Sequence, residues 1–213
     1  MATCEDGVMN SVDAPQAGSP ARGPGPMRAD ARRNRERLLA AALAAFTESG
    51  ADDTSLEEIA RRAGVGIGTL YRHFPSRQSL LESVYRDQVE VLCARAGPLH
   101  DEPSAGSALT TWLRALVGFG LTKRTLMSHL LAGSRPDSPV FSDCRADIMH
   151  AASDLLGRAQ EAGQVRPDID AGDLVRISHA VVAATERTPD PGAEAGRLLA
   201  IVLGGVLLPD REA

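Results

Sequence analysis

The chain has 213 residues, a net charge of −5 and only 3% aromatic residues, so its core must be built mainly from Leu, Val, Ile and Ala. That length holds one substantial core or two small ones, and Ala-, Leu- and Arg-rich segments with few β-branched runs favour an all-α protein. No apolar run approaches the roughly 18–20 residues needed to cross a bilayer, and no basic-then-apolar leader opens the chain. Cys4, Cys93 and Cys144 have no metal-ligand spacing, which favours free thiols in a reducing cytoplasm over a disulfide framework. An acidic total does not exclude nucleic acid as a partner, because a binder needs only a local basic face.

Residues 1–28 mix Gly, Pro, Ala and Ser with few large apolar side chains, and read as a disordered arm. At its end Arg22, Arg28, Arg32, Arg33, Arg35 and Arg37 are opposed only by Asp30 and Glu36. This cluster is either a solvated helix start or an electrostatic arm for phosphates, with Arg33 among the candidate contacts. A helix over about Asp30–Glu48 follows, with Leu38, Leu39, Ala42, Leu43 and Phe46 on one stripe and Ser49-Gly50 as its stop.

The next stretch, Thr54–Phe74, is the most informative. Thr54 with Glu57, or Ser55 with Glu58, has capping-box spacing at the start of a short helix whose buried stripe is Leu56, Ile59, Ala60 and Ala63. Gly64 sits where a left-handed residue would end it. A second short helix spans Ile67–His73 and stops before Pro75. Ala60 is small enough for a steep crossing, Gly64 frees the turn, and Val65, Leu70 and Phe74 plug the shared core. This is the outline of a helix-turn-helix, whose second helix would present Ile67, Gly68, Thr69, Tyr71, Arg72 and His73 to a major groove. Gly66 and Gly68 cost helix propensity, of order 1 kcal/mol each relative to Ala, and close approach of backbone to DNA is a reason to tolerate them. The bland alternative is a generic helical hairpin.

Ser76 can cap a fourth helix carrying Leu80, Leu81, Val84, Tyr85, Val89 and Leu92 and ending near Gly97-Pro98. Beyond residue 100 the helical segments lengthen: about 104–123, a weaker one near 124–132, then 141–162, 171–185 and 193–207, with a polar loop at 133–139 and a turn at 167–170. No strand and no internal repeat is expected. The layout is a disordered arm (1–28), a three-helix helix-turn-helix domain (29–76) and a C-terminal helical bundle (77–213).

Phe46, Thr54, Ile59-Ala60, Ala63-Gly64-Val65, Gly68-Thr69-Leu70-Tyr71, His73-Phe74 and Leu80-Leu81 resemble the N-terminal signature of TetR-family transcriptional regulators over about residues 32–82. The resemblance implies an all-α homodimer with two DNA-binding domains and a C-terminal ligand-binding and dimerisation domain. It also implies repression of transcription that ends when a small molecule binds. By position, Thr54 and Tyr71 resemble the family's phosphate contacts, Gly68 and Thr69 the front of its recognition helix, and His73 a contact to the DNA backbone. Arg77 stands where the family usually has Lys, and either can meet a phosphate. Gly66 replaces a Ser that caps the recognition helix in many members. Base readout is assigned to Ile67, Thr69 and Arg72.

In the C-terminal half, Trp112, Leu116, Phe119, Met127, Leu130 and Met149 are candidates for lining a ligand pocket, against the plainer reading of helical core. His129, His150 and His179 lack metal-ligand spacing, so neither metal nor cofactor is expected. The last two helices carry wide apolar stripes, Leu174, Ile177, Ala180, Val181 and Ala184, then Leu198, Leu199, Val202, Leu203 and Val206, read as a dimer face against the alternative of internal core helices. The expected partners are therefore a double-stranded DNA operator, an unidentified small-molecule effector and a second copy of the chain, without a membrane. The alternatives are a helical interaction module whose helix-turn-helix has lost DNA binding, or an enzyme. For the latter the chain offers no nucleophile elbow, phosphate-cradling glycine loop or metal constellation.

Overall fold

Helices form wherever the sequence combines an apolar stripe with a cap. The computed structural model describes the backbone of residues 26–49, 54–133 and 139–208, and the side chains of residues 29–48, 54–122 and 139–208. Among the described residues the order is α1 (Pro26–Ser49), α2 (Leu56–Arg62), α3 (Ile67–His73), α4 (Arg77–Ala94), α5 (Ala96–Leu99), α6 (Ala105–Gly133), α7 (Pro139–Glu161), α8 (Ala171–Thr185) and α9 (Pro191–Val206). No strand occurs among them; a single antiparallel bridge joins Val165 to Leu207.

The disordered arm expected for residues 1–28 lies outside the described residues up to residue 25. The helix expected from Asp30 begins earlier, at Pro26, which suits a residue whose missing N–H is an orphan in a first turn anyway. The N-cap of α2 is Ser55, whose Oγ accepts from Glu58 N at 3.1 Å. Ser76 and Ser79 make a reciprocal capping box at α4, and Asp170 and Asp173 do the same at α8.

Two boundaries differ from the sequence reading. Gly97-Pro98 does not end helical structure but lies within one-turn α5, because proline is tolerated in a first turn. Arg158 of α7 donates to the Leu99 and His100 carbonyls there, placing a cation where a helix C-terminus favours one. The two segments expected at 104–123 and 124–132 are one backbone helix, α6, since no Gly or Pro separates them.

The core runs without a break from Leu38 in α1 to Val206 in α9. Helix α4 carries it across, packing on α1 at one end and on α6 and α7 along the rest. Helix α6 is central to the bundle, touching α4, α7, α8 and α9. Trp112, Leu109, Leu113 and Leu116 of α6 are fully buried, and the Trp112 indole N–H donates to the Leu92 carbonyl of α4 at 3.2 Å. No helix among the described residues is long and apolar enough to cross a membrane.

Candidate nucleic-acid interface

The helix-turn-helix is set by its turn. Ala63 caps α2, and Gly64 follows with φ +66°, the left-handed conformation that glycine adopts without steric cost. Gly64 N donates to Arg61 O and Val65 N to Ala60 O, at 3.1 and 3.0 Å, which is the paired bonding of a Schellman motif. The chain then enters α3 through Gly66, which caps without a side-chain bond. Leu70 and Phe74 point inward, both at 2% exposure or less, while Ile67 is 37% and Tyr71 47% exposed. Gly68 and Arg72 are exposed, and Thr69 and His73 half-buried. Helix α3 therefore offers solvent the set expected from the sequence.

Around it, charge and aromatic contacts hold α2, α3 and α4 to α1. Arg61 and Arg62 both donate to the Glu58 carboxylate, and Arg62 reaches Glu48 of α1 at 2.6 Å. Hydrogen bonds from Arg61 and then Arg62 hold the Glu58 carboxyl down at about 2. The Arg35 guanidinium lies 5.9 Å from the Phe74 ring centroid, and that of Arg77 5.7 Å from that of Phe46. These two stacks tie the end of α3 and the start of α4 to α1. In the sequence Arg35 is only one of a basic run, and its aromatic partner, nearly forty residues downstream, leaves no local signal.

Three expected contacts sit differently. Thr54 is only 5% exposed, and its hydroxyl donates to the Ala45 carbonyl at 3.2 Å, fastening the entry of α2 to α1. Arg77 is half-buried, with Nη2 enclosed and without a hydrogen-bond partner; its place over Phe46 makes it part of the α1–α4 joint. Arg33 is exposed but paired with Asp30, and Arg32 pairs with Glu36 at 3.5 Å, so part of the basic run is neutralised on its own helix.

Two further readings concern the bundle. Trp112 and Leu116 are fully buried in its interior. Phe119 and Met149 are half-buried against the core, Phe119 with its ring 6.0 Å from that of Tyr85. The side chains of Met127 and Leu130 lie outside the described residues. Of the ten residues read as a dimer face, Leu174, Val181, Leu199, Leu203 and Val206 are buried within the chain itself, Ile177, Leu198 and Val202 pack at the edge of the core, and Ala180 and Ala184 are exposed. The stripes are wide because α8 and α9 must cover α6, α7 and each other. Facing outward with Ala180 and Ala184 are Ala183 on α8 and Ala200, Gly204 and Gly205 on α9, with Ile201 63% exposed among them.

Comparison with known proteins agrees with this architecture. The family model for bacterial regulatory proteins of the tetR family matches residues 38–84, and that for the SbtR-like transcriptional regulator C-terminal domain matches residues 104–208. A TetR transcriptional regulator from Streptomyces coelicolor is 36% identical, with a TM-score of 0.70 over 81% of this chain and 98% of that one. A TetR regulator from Mycobacterium vanbaalenii is 31% identical, with a TM-score of 0.71 over 86% and 100%. An HTH-type transcriptional regulator of Staphylococcus aureus strain USA300 is 29% identical over 109 residues, 51% of this chain. The match spans 59% of that curated relative's length. The signature at Thr54–Phe74, the helical bundle behind it and these relatives agree: the chain belongs to the TetR family of DNA-binding transcriptional regulators.

Proposed function

We propose that the protein is a ligand-responsive repressor that binds a palindromic operator as a homodimer and leaves it when a small molecule binds. The observation that carries this reading is the division of α3, where Leu70 is fully buried and Ile67 and Tyr71 stand open on the opposite face. A helix held so firmly on one side and left bare on the other is suited to entering a major groove. Ile67, Thr69 and Arg72 would meet base edges, and Tyr71, His73 and the backbone at Gly68 would meet the phosphates flanking them. Arg33 would meet a phosphate by exchanging Asp30 for the DNA backbone. Thr54 and Arg77 would act by holding α2 and α4 against α1.

A second copy would meet the chain at the small-residue face of α8 and α9, with Ile201 at its centre. Glycine and alanine let two such faces approach closely, and an exposed isoleucine gains most from being covered. Because α4 spans both the reading unit and the bundle, a ligand that changes its packing on α6 would change the separation of two reading helices.

The test is operator binding by fragments upstream of the protein's own gene, followed by fluorescence anisotropy across a salt series. Affinity should fall steeply as salt rises. Replacing Thr69 and Tyr71 together with Ala should weaken binding by about tenfold or more while leaving the circular dichroism unchanged. Ile201→Asp should give a folded monomer in light scattering and lose most operator affinity. No binding to any such fragment, with dimerisation unaffected by the Thr69/Tyr71 change, would favour the interaction-module reading. DNA binding that ignores that change would place the DNA contact off α3, and a dimer that survives Ile201→Asp would place the two-fold contact elsewhere.

A further inference from the structure

Five large apolar side chains stand exposed among the described residues: Ile67, Tyr71, Val91, Ile201 and Leu208. The first two belong to the reading helix, and Ile201 to the outer face of α9. Val91 and Leu208 belong to neither surface. Each lines one of two adjoining grooves on the outside of α6.

The first groove, ≈ 510 Å³, lies between α4 and α6; Val91, Leu92, Ala115 and Phe119 supply its apolar wall, and Arg95 and Arg114 its charge. The second, ≈ 630 Å³, lies where the start of α6 meets Gln164 and the end of α9, with Ser107, Thr110 and Leu208 in its lining. Thr111 and Arg114 line both, so the grooves meet across them. Both volumes fall in the range of small-molecule sites, about 300–1,000 Å³.

The charge is one-sided. Among the described residues, neither groove has a carboxylate in its lining, although the chain as a whole carries a net charge of −5. Arg95 and Arg114 make no ion pair with another described residue. In the wall of the second groove, Thr110 Oγ1 is enclosed without a hydrogen-bond partner, which is rare in a settled interior. A guanidinium without a partner beside apolar surface is complementary to a carboxylate on an apolar body.

We propose that the joined grooves on the outer face of α6 bind an amphipathic monocarboxylate, its carboxylate at Arg114 with Arg95 adding charge, and its apolar body along Val91, Leu92, Ala115 and Phe119. The site is on the surface of the bundle, separate from the interior filled by Trp112 and Leu116. Binding stands on the grooves alone; only its consequence for DNA rests on the ligand-responsive reading.

The protein reports on this site itself. Trp112 is its single tryptophan, and the indole bonds to the carbonyl of Leu92, a groove residue. Titration of the full chain with octanoate should change tryptophan emission saturably. Arg114→Gln, at an exposed position, should keep the fold and weaken octanoate by about tenfold or more, and Arg95→Gln should weaken it less. Octanol and octyltrimethylammonium should not reproduce the saturable change. No saturable octanoate binding by fluorescence and calorimetry overturns the proposal, as does equal binding of octanol or full affinity in Arg114→Gln. Arg114-dependent binding that leaves operator affinity unchanged upholds the site and counts only against its regulatory use. Operator release by other compounds, with no octanoate binding, counts against the site and leaves the ligand-responsive reading intact.

Discussion

In the reading unit, a Cβ added at Gly66 or Gly68 would meet no atom within 4 Å, whereas in the bundle a Cβ at Gly120 would meet Val182 Cγ2 at 2.8 Å. The two regions use the same residue for opposite ends. Gly120 lets α8 close on α6, so its absent side chain is a packing feature. Gly66 and Gly68 make no room for any described part of the chain, and Gly68 weakens a helix only seven residues long. The bundle is held where helices meet over long apolar faces, and the surface proposed to read DNA is held by a few plugs, a glycine turn and charge.

The widest separation between the regions should come from one substitution made in each. Gly120→Ala forces a methyl into a β-branched neighbour that is itself buried. It should destabilise the protein by about 1–3 kcal/mol, the usual range for overpacking, read as a lower urea midpoint at unchanged slope. Neutral behaviour would mean that α6 and α8 yield freely, and the contrast would collapse.

Gly68→Ala should act the other way. With open space at the Cβ position, it should stabilise the fold by up to about 1 kcal/mol through helix propensity. If the α3 backbone approaches DNA at this point, the same methyl should lower operator affinity. A higher melting temperature together with weaker binding in anisotropy would show that Gly68 serves close approach to DNA at the expense of the helix. A rise in both would remove close approach as the reason for this glycine and leave its presence unexplained. Gly66 is a different case from the sequence expectation: as the N-cap it lies outside the helix interior, where glycine costs only a few tenths of a kcal/mol.

The reading unit was legible because its signals are local. Capping spacing, Gly64, the plugs Leu70 and Phe74 and the bounds of α3 all lie within one short window, and each forces a backbone or burial outcome. The bundle's helices were legible for the same reason. Their partners were not, because an apolar stripe states that a face is buried and not what buries it. Leu199 and Leu203 look identical in sequence whether a second copy or the chain's own α6 covers them. Trp112 likewise fits a cavity wall or a core by periodicity alone. Thr54 shows the limit at a single residue, since a threonine hydroxyl can meet a phosphate or a carbonyl, and only the fold brings Ala45 O to it. The outer grooves of α6 were invisible because their lining comes from α4, α6, Gln164 and the end of α9 at once.

The smallest effect tests how α2 is held. Its carboxylate Glu58 has its pKa lowered from 4.5 to about 2, chiefly by the Arg61 hydrogen bond and then by that of Arg62. A lowered folded-state value means that the ionised form favours the fold. The contribution is therefore complete above about 4.5 and fades as the pH falls toward 2. Glu58→Gln keeps the backbone N–H that bonds Ser55 and removes the charge together with one of the two oxygens that accept from Arg61 and Arg62. Its melting temperature should lie slightly below that of the parent at neutral pH, and the two curves should converge in acid. The gap should be small, because Arg61 is largely exposed and solvent screens such pairs. Added salt should shrink it further. A gap that persists unchanged below the folded-state value would show that the side chain acts through packing. The reading unit would then resemble the bundle more closely than its exposed ion pairs suggest.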